Sequence, residues 1–414
     1  MAYHSASTGR SQEDACLPAT PTGTGAQAVG KPIMEPRAAL EHRKNSPLTP
    51  YRRAAWAEEL SHHSLQGRYP LLLHGLTHGF DLGIPTIPRT YTPPNHPSVT
   101  ALHDVYSHIV DNEFAVGRYI GPFTRCQLEA ILGPFQTSPL SLVPKTLKPG
   151  KFRAVHNFSH PHDPLPNATS INSHIDGDHF PCTWGTFTTI ALLLSQLPPG
   201  SQASVRDVAE AYRTIPVAPA QWPGLVIRLQ AEDHFAVNIC NNFGLTSARG
   251  VYGMVADAGA DLFQGCGIGP LAKWVDDHIF FRIRREHLPA YNTRRDQWCQ
   301  EIQTQGGRRQ EGGRLWYGGN PLPDGASQEF DEDCSASLHD LSRASPRTAE
   351  DAQFTYADHD IDSLSAWLGI EWESSKSVPF GTEVPYLGFC WDLHAHVVHL
   401  PKEKKTKYLA AITE

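Results

Sequence analysis

Two adjacent carboxylates, Asp276 and Asp277, lie between two apolar runs of the sequence. The order Trp274-Val275-Asp276-Asp277, followed by Ile279-Phe280-Phe281, predicts a buried strand, a tight turn and a second strand. Because Asp is favoured in turns and depleted in strands, an isolated Val-Asp-Asp would be read as a plain solvated turn. A third acid, Asp207, ends another short predicted strand and precedes a helical turn.

Three carboxylates at the ends of two strands can hold a pair of Mg²⁺ ions. Mg²⁺ prefers hard oxygen ligands and usually keeps waters and substrate phosphates in its shell. Two such ions about 4 Å apart activate an attacking hydroxyl and stabilise the leaving oxygen of an in-line displacement. We therefore predict that Asp207, Asp276 and Asp277 converge on one site that binds two Mg²⁺ ions, with Mn²⁺ as a substitute.

Further motifs follow in an order that resembles the reverse transcriptase family. Each motif alone is weak, and the specificity comes from their order over residues 100–410. The matching segments are the strand end at Asp207, the nucleotide- and template-contacting stretch 242–248, the aromatic-X-Asp-Asp box 274–277, the lysine motif around Lys376, the primer-grip hairpin 386–389, and the fingers hairpin formed by 138–145 and 150–153. The residues of the last motifs are most similar to those of DIRS-type or related retrotransposon enzymes.

The resemblance implies a role for each matching residue. Asp207, Asp276 and Asp277 would be the metal ligands, and Lys376 would protonate the leaving pyrophosphate as a general acid. The nucleotide-binding residues implied are Lys151, Arg153, Val208, Tyr212, Phe243 and Gly244. Leu387 and Gly388 would shape the turn that holds the primer terminus.

Physical arguments accompany two of these roles, each with an alternative. The Tyr212 ring would exclude a 2′-hydroxyl sterically, or else be a core aromatic. Arg153 and Lys151 would clamp a triphosphate, since a guanidinium matches the geometry of phosphate oxygens. The alternative is that they form a solvated hairpin tip. Lys145 and Lys148 are further candidates for the clamp. His278, directly after the acids, is expected to be a neighbour without a metal role.

We expect an α+β fold with the palm and fingers of a right-hand polymerase. An antiparallel palm sheet would be flanked by helices, and the thumb would be missing or only begun. The predicted parts are a disordered segment 1–50, a small region with a Pro-rich linker at 51–98, fingers and palm at 99–400, an acidic loop insertion at 306–360 within them, and the start of a thumb or connection helix at 401–414.

The charge distribution bears on the predicted partners. The chain has a formal net charge of −8, which is unfavourable for a nucleic-acid binder. Eleven acidic residues and two arginines lie between Asp324 and Asp362, so the remainder of the chain is near neutral. We expect those acids to be a solvated run and not a metal site.

Neither secretion nor membrane insertion is expected. No run of 18 apolar residues exists, the N-terminus has no apolar signal core, and the eight cysteines are scattered without a Cys-x-x-Cys pair. These features predict an intracellular protein, cytoplasmic or nuclear, with reduced thiols.

The expected function is template-directed transfer of deoxynucleotides from dNTPs to a primer 3′-hydroxyl, with RNA or DNA as template. RNase H or recombinase/integrase domains are expected on the missing part of a polyprotein. Three alternatives stay open: an RNA-templated RNA polymerase, which Tyr212 argues against; an inactive retroelement remnant that binds nucleic acid; and a non-catalytic protein that retains the palm fold.

Overall fold

The computed structural model describes residues 35–145, 150–166, 168–230, 233–304, 308–309, 314–321, 327–333, 337–344 and 346–413. For residues 302–303, 308–309, 314–321, 327–333 and 413 only the backbone is described. The helices of this part are α1 (Pro36–Asn45), α2 (Arg53–His62), α3 (Leu72–His78), α4 (Pro97–Ala101), α5 (His103–Ala115), α6 (Arg125–Leu132), α7 (Phe187–Gln196), α8 (Ala248–Gly265), α9 (Leu288–Thr304), α10 (Asp358–Leu368) and α11 (Lys402–Thr413).

Antiparallel ladders join the strands into five sheets within the described residues. The strands are β1 (Tyr119–Thr124), β2 (Leu140–Pro144), β3 (Phe152–His156), β4 (Gln202–Asp207), β5 (Val226–Arg228), β6 (His234–Asn238), β7 (Leu271–Trp274), β8 (Asp277–Arg282), β9 (Arg308–Arg309), β10 (Arg314–Pro321), β11 (Ser327–Asp333), β12 (Val378–Gly381), β13 (Glu383–Tyr386), β14 (Phe389–Asp392) and β15 (Val397–His399). Their orders are β12-β4-β8-β7, β1-β6-β5, β2-β3, β13-β14-β15 and β11-β10-β9.

The four-stranded sheet β12-β4-β8-β7 carries the predicted acids and is covered on both faces. Successive side chains of β8 point to opposite faces, as strand geometry requires. Ile279 and Phe281 pack with Ile190 of α7, whereas Phe280 packs with Phe263 of α8. An unbroken apolar run is the sequence signature of a strand buried in this way. The predicted α+β sheet flanked by helices is therefore present.

Small residues let α8 lie close against its neighbours. A β-carbon added at Gly250 would be 1.8 Å from the carbonyl oxygen of Phe180, and one at Gly253 would be 2.2 Å from Cβ of Cys182. Larger side chains at either position would push the 180–182 segment away from the helix. That segment leads into α7, so the close approach fixes where α7 covers the sheet.

The predicted fingers hairpin is β2 paired with β3, in the register Val143 opposite Arg153. Residues 146–149 at its tip, with the candidate Lys148, lie outside the described residues. Helix α6 begins with a capping box, in which Thr124 and Gln127 exchange side-chain and backbone hydrogen bonds.

The N-terminal boundary differs from the prediction. Residues 36–45 form α1, whose Leu40 is fully buried in the same core as Trp56 and Leu60 of α2. The prediction of disorder over 1–50 is therefore wrong for residues 36–50, and residues 1–34 lie outside the described residues. Region 51–98 packs into that core as well, and Ile84 and Ile87 of its Pro-rich stretch are buried.

The prediction that 306–360 is a solvated loop is wrong for its second part. Phe354 and Tyr356 are buried, the backbone N–H of Thr355 donates to Ile283 O, and the Tyr356 hydroxyl donates to Phe281 O. This stretch therefore extends the packing at the end of β8. Strands β9–β11, in the first part, pair only with one another among the described residues.

The acids of that second part form ion pairs with arginines that lie elsewhere in the chain or nearby. Asp351 pairs with Arg282 at 2.6 Å, Asp340 with Arg285 at 2.7 Å, and Asp360 with Arg347 at 2.7 Å. Asp358 also pairs with Arg206 of β4. Charge composition alone predicted solvation because it does not show where the partner arginines lie.

Candidate active site

Asp207 and Asp277 face each other across the β4–β8 ladder, as its last register pair. Opposed residues of an antiparallel pair hold their side chains on the same face, a few ångströms apart. Asp207 is buried, and Asp277 is half-buried and hydrogen-bonded to it. The two acids, 70 positions apart in the chain, thus meet as predicted.

Asp276 lies in the two-residue turn between β7 and β8, which is strained. Val275 before it has φ +54°, a left-handed conformation that a β-branched residue adopts only under constraint. The constraint is visible: the backbone N–H of Val208 donates to Asp276 O at 3.0 Å. Val208, predicted to bind nucleotide, therefore anchors the acidic turn to the strand that carries Asp207.

Neighbouring acids and burial raise the affinity of Asp276 and Asp277 for protons. Burial, the hydrogen bond to Asp207 and the charges of Asp276 and Asp207 raise the pKa of Asp277 to about 7. Burial and the charge of Asp207 also raise the pKa of Asp276, although Lys376 opposes this. Such a cluster is a site that a cation would stabilise, because it would relieve the repulsion between the carboxylates.

Lys376 lies beside the acids, as its motif predicted, and its Nζ is 2.7 Å from Asp207 Oδ2. Burial acts to lower the pKa of Lys376, but the hydrogen bond to Asp207 and the nearby charges raise it overall. The backbone N–H of Glu373 also donates to Asp207 O at 2.7 Å. Because its side chain is 54% exposed, Lys376 has room to move away from Asp207.

Tyr212 lies near Asp276, in the 3₁₀ turn Ala211–Thr214. Its ring packs 4.4 Å from the ring of Phe243 and 5.7 Å from that of Tyr252. Burial and the charge of Asp276 raise the pKa of Tyr212 to about 12, so the ring is neutral. Phe243 is 63% exposed and extends this aromatic surface toward solvent.

Gly244 makes a close contact within the protein. Its φ is +104°, and a β-carbon there would be 2.7 Å from His156 O at the end of β3. The glycine thus lets the end of β3 approach, and its contact with a nucleotide stays a prediction. Lys151 and Arg153, at the start of the same strand, are exposed, and their role as a triphosphate clamp stays a prediction.

Leu387 and Gly388 form the predicted turn, between β13 and β14. Both residues have positive φ, +50° and +80°, as the tightest hairpin turns require. The hydroxyl of Tyr386 donates to Asp277 O at 2.9 Å, which fastens this hairpin to the acidic strand. Sequence reasoning missed the bracing role of Tyr386, for which no local pattern gives a signal.

His278 and Trp274 flank the acids without facing them as ligands. The His278 ring is buried, its Nδ1 is 3.1 Å from Asp276 O, and burial lowers its pKa to about 3. Trp274 packs 4.4 Å from Trp184, which sequence reasoning also missed. The prediction that His278 is a neighbour of the acids is consistent with this packing.

The donor set fits a hard divalent cation, because all three candidate ligands are carboxylates. Within the described residues, the three aspartates do not form a cluster whose carboxylate oxygens all lie within 4.8 Å of one another. Asp207 is paired with Lys376 in this arrangement, so its carboxylate would have to exchange the ammonium for a metal ion. The two-ion site therefore stays a prediction.

Comparisons with known proteins gave only structural likenesses. No protein-family model matches the chain, and no curated protein matches its sequence. Among solved structures, the foamy viral protease-reverse transcriptase in complex with double-stranded DNA is 16% identical, with a TM-score of 0.43 over 78% of this chain. The same protein in complex with an RNA/DNA hybrid is 14% identical, with a TM-score of 0.42 over 94% of this chain.

The chain spans 38% of the length of each of these two structures. A further complex with double-stranded DNA is 13% identical, with a TM-score of 0.42, and 58% of its length is covered. Identities at this level do not assign a reaction or a retroelement type to this chain. Within the described part of the chain, no helix combines the length and apolar character needed to cross a bilayer.

Proposed function

We propose that this chain is the polymerase part of a reverse transcriptase and adds deoxynucleotides from dNTPs to a primer 3′-hydroxyl under the direction of a template. The observation that carries the proposal is the register pair Asp207–Asp277, beside a strained turn that presents Asp276. Two distant segments have to fold together to make this acidic site. A plain solvated turn would not require a buried aspartate on the neighbouring strand.

Asp207, Asp276 and Asp277 would hold two Mg²⁺ ions. Bound there, such ions would activate the primer hydroxyl and neutralise charge on the reacting phosphate. The protein's contribution is positional: the β4–β8 ladder fixes two carboxylates, and the Val208–Asp276 hydrogen bond fixes the third residue.

Lys376 would give a proton to the leaving pyrophosphate. Its ammonium is held at the site by Asp207, and its raised pKa keeps it protonated at neutral pH. A metal ion that took the Asp207 oxygen would free Lys376 to contact phosphate. The positive charge of Lys376 would thus neutralise Asp207 before a nucleotide binds. Afterwards the same ammonium would be available to protonate the leaving group.

Tyr212 would select the sugar. Its ring is backed by Phe243 and Tyr252, so it cannot retreat without disturbing both. A 2′-hydroxyl that met such a ring would be rejected sterically. The Leu387-Gly388 turn, tied to Asp277 by Tyr386, would hold the primer end at a fixed distance from the acids.

Primer extension tests the proposal. The chain, a labelled primer annealed to an RNA or a DNA template, dNTPs and Mg²⁺ should give extended products. Asp207→Asn and Asp276→Asn should each abolish extension, whereas Asp178→Asn, at an exposed aspartate outside the site, should not. Absence of extension by the folded wild-type chain with either Mg²⁺ or Mn²⁺ would reject the proposal.

One observation favours a second candidate, a non-catalytic nucleic-acid binder. The Lys376–Asp207 ion pair occupies an oxygen that a metal site needs. If this pair is permanent, the folded chain should bind a primer–template without extending it. Lys376→Met would then leave extension absent, because removing a permanent ion pair does not supply a working site.

A further inference from the structure

A second cluster of donor side chains lies away from the aspartates, where the ends of two helices meet. Glu59, His62 and His63 occupy the last turn and the C-cap of α2, at the spacing i, i+3 and i+4 that places them on one side of a helix. Cys266, the C-cap of α8, faces them. The proposed function uses none of these four residues.

The separations match a tetrahedral metal site. Cys266 Sγ is 3.4 Å from His63 Nε2 and 4.0 Å from Glu59 Oε2, and the latter two atoms are 3.7 Å apart. Zinc bound at its usual distances of about 2.1 Å to nitrogen or oxygen and about 2.3 Å to sulfur separates tetrahedral ligands by about 3.4–3.6 Å. Shifts of a few tenths of an ångström would therefore complete three corners.

His62 is the fourth donor. One of its ring nitrogens, a Glu59 oxygen and a His63 nitrogen all lie within 4.8 Å of one another. Two neutral imidazoles, one carboxylate and one thiolate would balance a Zn²⁺ ion to zero net charge. Mixed nitrogen, sulfur and oxygen ligands in tetrahedral geometry favour zinc over the hard cations that suit the aspartates.

The surroundings of the cluster favour a cation. The C-termini of α2 and α8 converge there, and each carries the negative end of a helix dipole.

Two neighbouring residues set the geometry of the cluster without being candidate metal ligands. Trp367 Nε1 donates to Glu59 Oε1 at 3.1 Å, which leaves Oε2 directed at His63 and Cys266. A β-carbon at Gly265 would be 2.7 Å from His63 Nδ1, so only glycine lets the ring lie against the end of α8. Partners of this kind orient ligands in metal sites.

We propose that Glu59, His62, His63 and Cys266 form a structural zinc site that fastens α2 to the C-terminal end of the palm helix α8. Binding would release the Cys266 proton to solvent as the Zn–S bond forms, with no change of oxidation state. Because α8 begins beside the nucleotide-contacting stretch at 242–248 and ends here, the site would fix one end of the helix that supports the aspartates.

Cobalt and zinc binding test the proposal without any polymerase assay. The reduced, metal-free full chain is titrated with Co²⁺ and then with Zn²⁺. We expect one equivalent of Co²⁺ to give the intense visible bands of a tetrahedral site and a thiolate-to-cobalt charge-transfer band, both removed by Zn²⁺. Zinc should also raise the melting temperature. Cobalt at the aspartates would give no thiolate band, so the two sites are distinguishable.

A second cluster of donor side chains lies on the β13–β15 sheet and contains Glu383, Cys390 and His399. Cysteine variants of the two clusters show which of them binds the metal. Cys266→Ser should lose the charge-transfer band, whereas Cys390→Ser should retain it. Gly265→Ala, which removes no ligand and suits a helix, should weaken Co²⁺ binding by at least about tenfold while circular dichroism is unchanged.

Three results would overturn the proposal: no tetrahedral cobalt spectrum, a thiolate band that persists in Cys266→Ser, or a band lost only in Cys390→Ser. If Cys266→Ser does not fold, Gly265→Ala and His62→Ala decide, and unchanged affinity in both rejects the site. His62 is exposed, so its replacement should not by itself disturb the fold.

Discussion

Asp351→Asn should destabilise the protein far more than Asp340→Asn, although both acids lie in the same acidic block. Arg282, the partner of Asp351, has a side chain that is only 4% exposed, and it lies between the rings of Phe354 and Phe380, 4.1 and 4.2 Å from their centroids. Arg285, the partner of Asp340, is 38% exposed. The two contacts have almost equal lengths, so the comparison isolates burial.

The magnitudes follow from that burial. Removing one partner of a buried ion pair costs about 3–5 kcal/mol, because the other charge is left without compensation. Since the Asp351 side chain is 29% exposed and Gln202 still accepts from Arg282, we expect about 2–3 kcal/mol for Asp351→Asn. An exposed pair contributes about 0–1 kcal/mol, which is the expectation for Asp340→Asn.

Urea unfolding at pH 7 measures both variants, and the m-value should stay constant. The hydrogen bond from Arg282 holds the pKa of Asp351 below its usual range. An acid with a lowered folded pKa contributes stability above its unfolded pKa of about 3.9 and loses it as the pH falls through the folded value. The deficit of Asp351→Asn should therefore shrink below about pH 4. Equal and small costs for both variants would show that residues 337–344 and 346–357 are not docked on the sheet β12-β4-β8-β7.

Three further predictions concern the site and the acidic block. Tyr212→Ala should raise ribonucleotide incorporation relative to deoxynucleotide incorporation, and an unchanged ratio in single-turnover extension would reject the steric role. Asp277→Asn should stabilise the metal-free protein at pH 7, because an acid with a raised folded pKa loses stability as the pH rises from about 4 toward 7; the gain in urea midpoint should vanish below about pH 4. Replacing residues 306–336 by a Gly-Ser bridge should preserve folding and primer extension. A deletion that continues to 357 should abolish folding, because it removes the buried Phe354 and Tyr356. Circular dichroism of both deletions, and primer extension by the shorter one, tests this.

Local patterns predicted the elements that carry the site. The apolar runs on either side of Asp276 predicted a hairpin. Strand geometry alone explains why Ile279 and Phe281 pack on one face of the sheet and Phe280 on the other. The α6 capping box likewise depends only on Thr124 and Gln127, which are three residues apart. The Leu387-Gly388 turn, by contrast, was expected from the resemblance. In each case the residues that determine the structure are neighbours in the chain.

Long-range pairings were not predictable from local patterns. Neither the Tyr386 hydroxyl at Asp277 O nor the His156 carbonyl at Gly244 has a sequence signal, because each depends on how two separate elements pack. The convergence of Asp207 with Asp277 was predicted from shared metal ligation and from the order of motifs, and not from a local pattern. Hydrogen-bond register between β4 and β8, which places them opposite each other, is a property of the folded sheet.

The acidic block shows why composition misled. An average over 306–360 is strongly negative and lacks periodicity, which is typical of a solvated insertion. Four of its acids nevertheless meet arginines, and two of those, Arg206 and Arg282, lie on the central strands β4 and β8. A buried arginine on a strand requires a counter-charge, and β4 and β8 themselves supply none on that side. The arginines within these apolar strands were therefore the signal that was overlooked, because an acidic segment has to return to the sheet to neutralise them, and the acidic stretch 324–362 had been assigned to solvent.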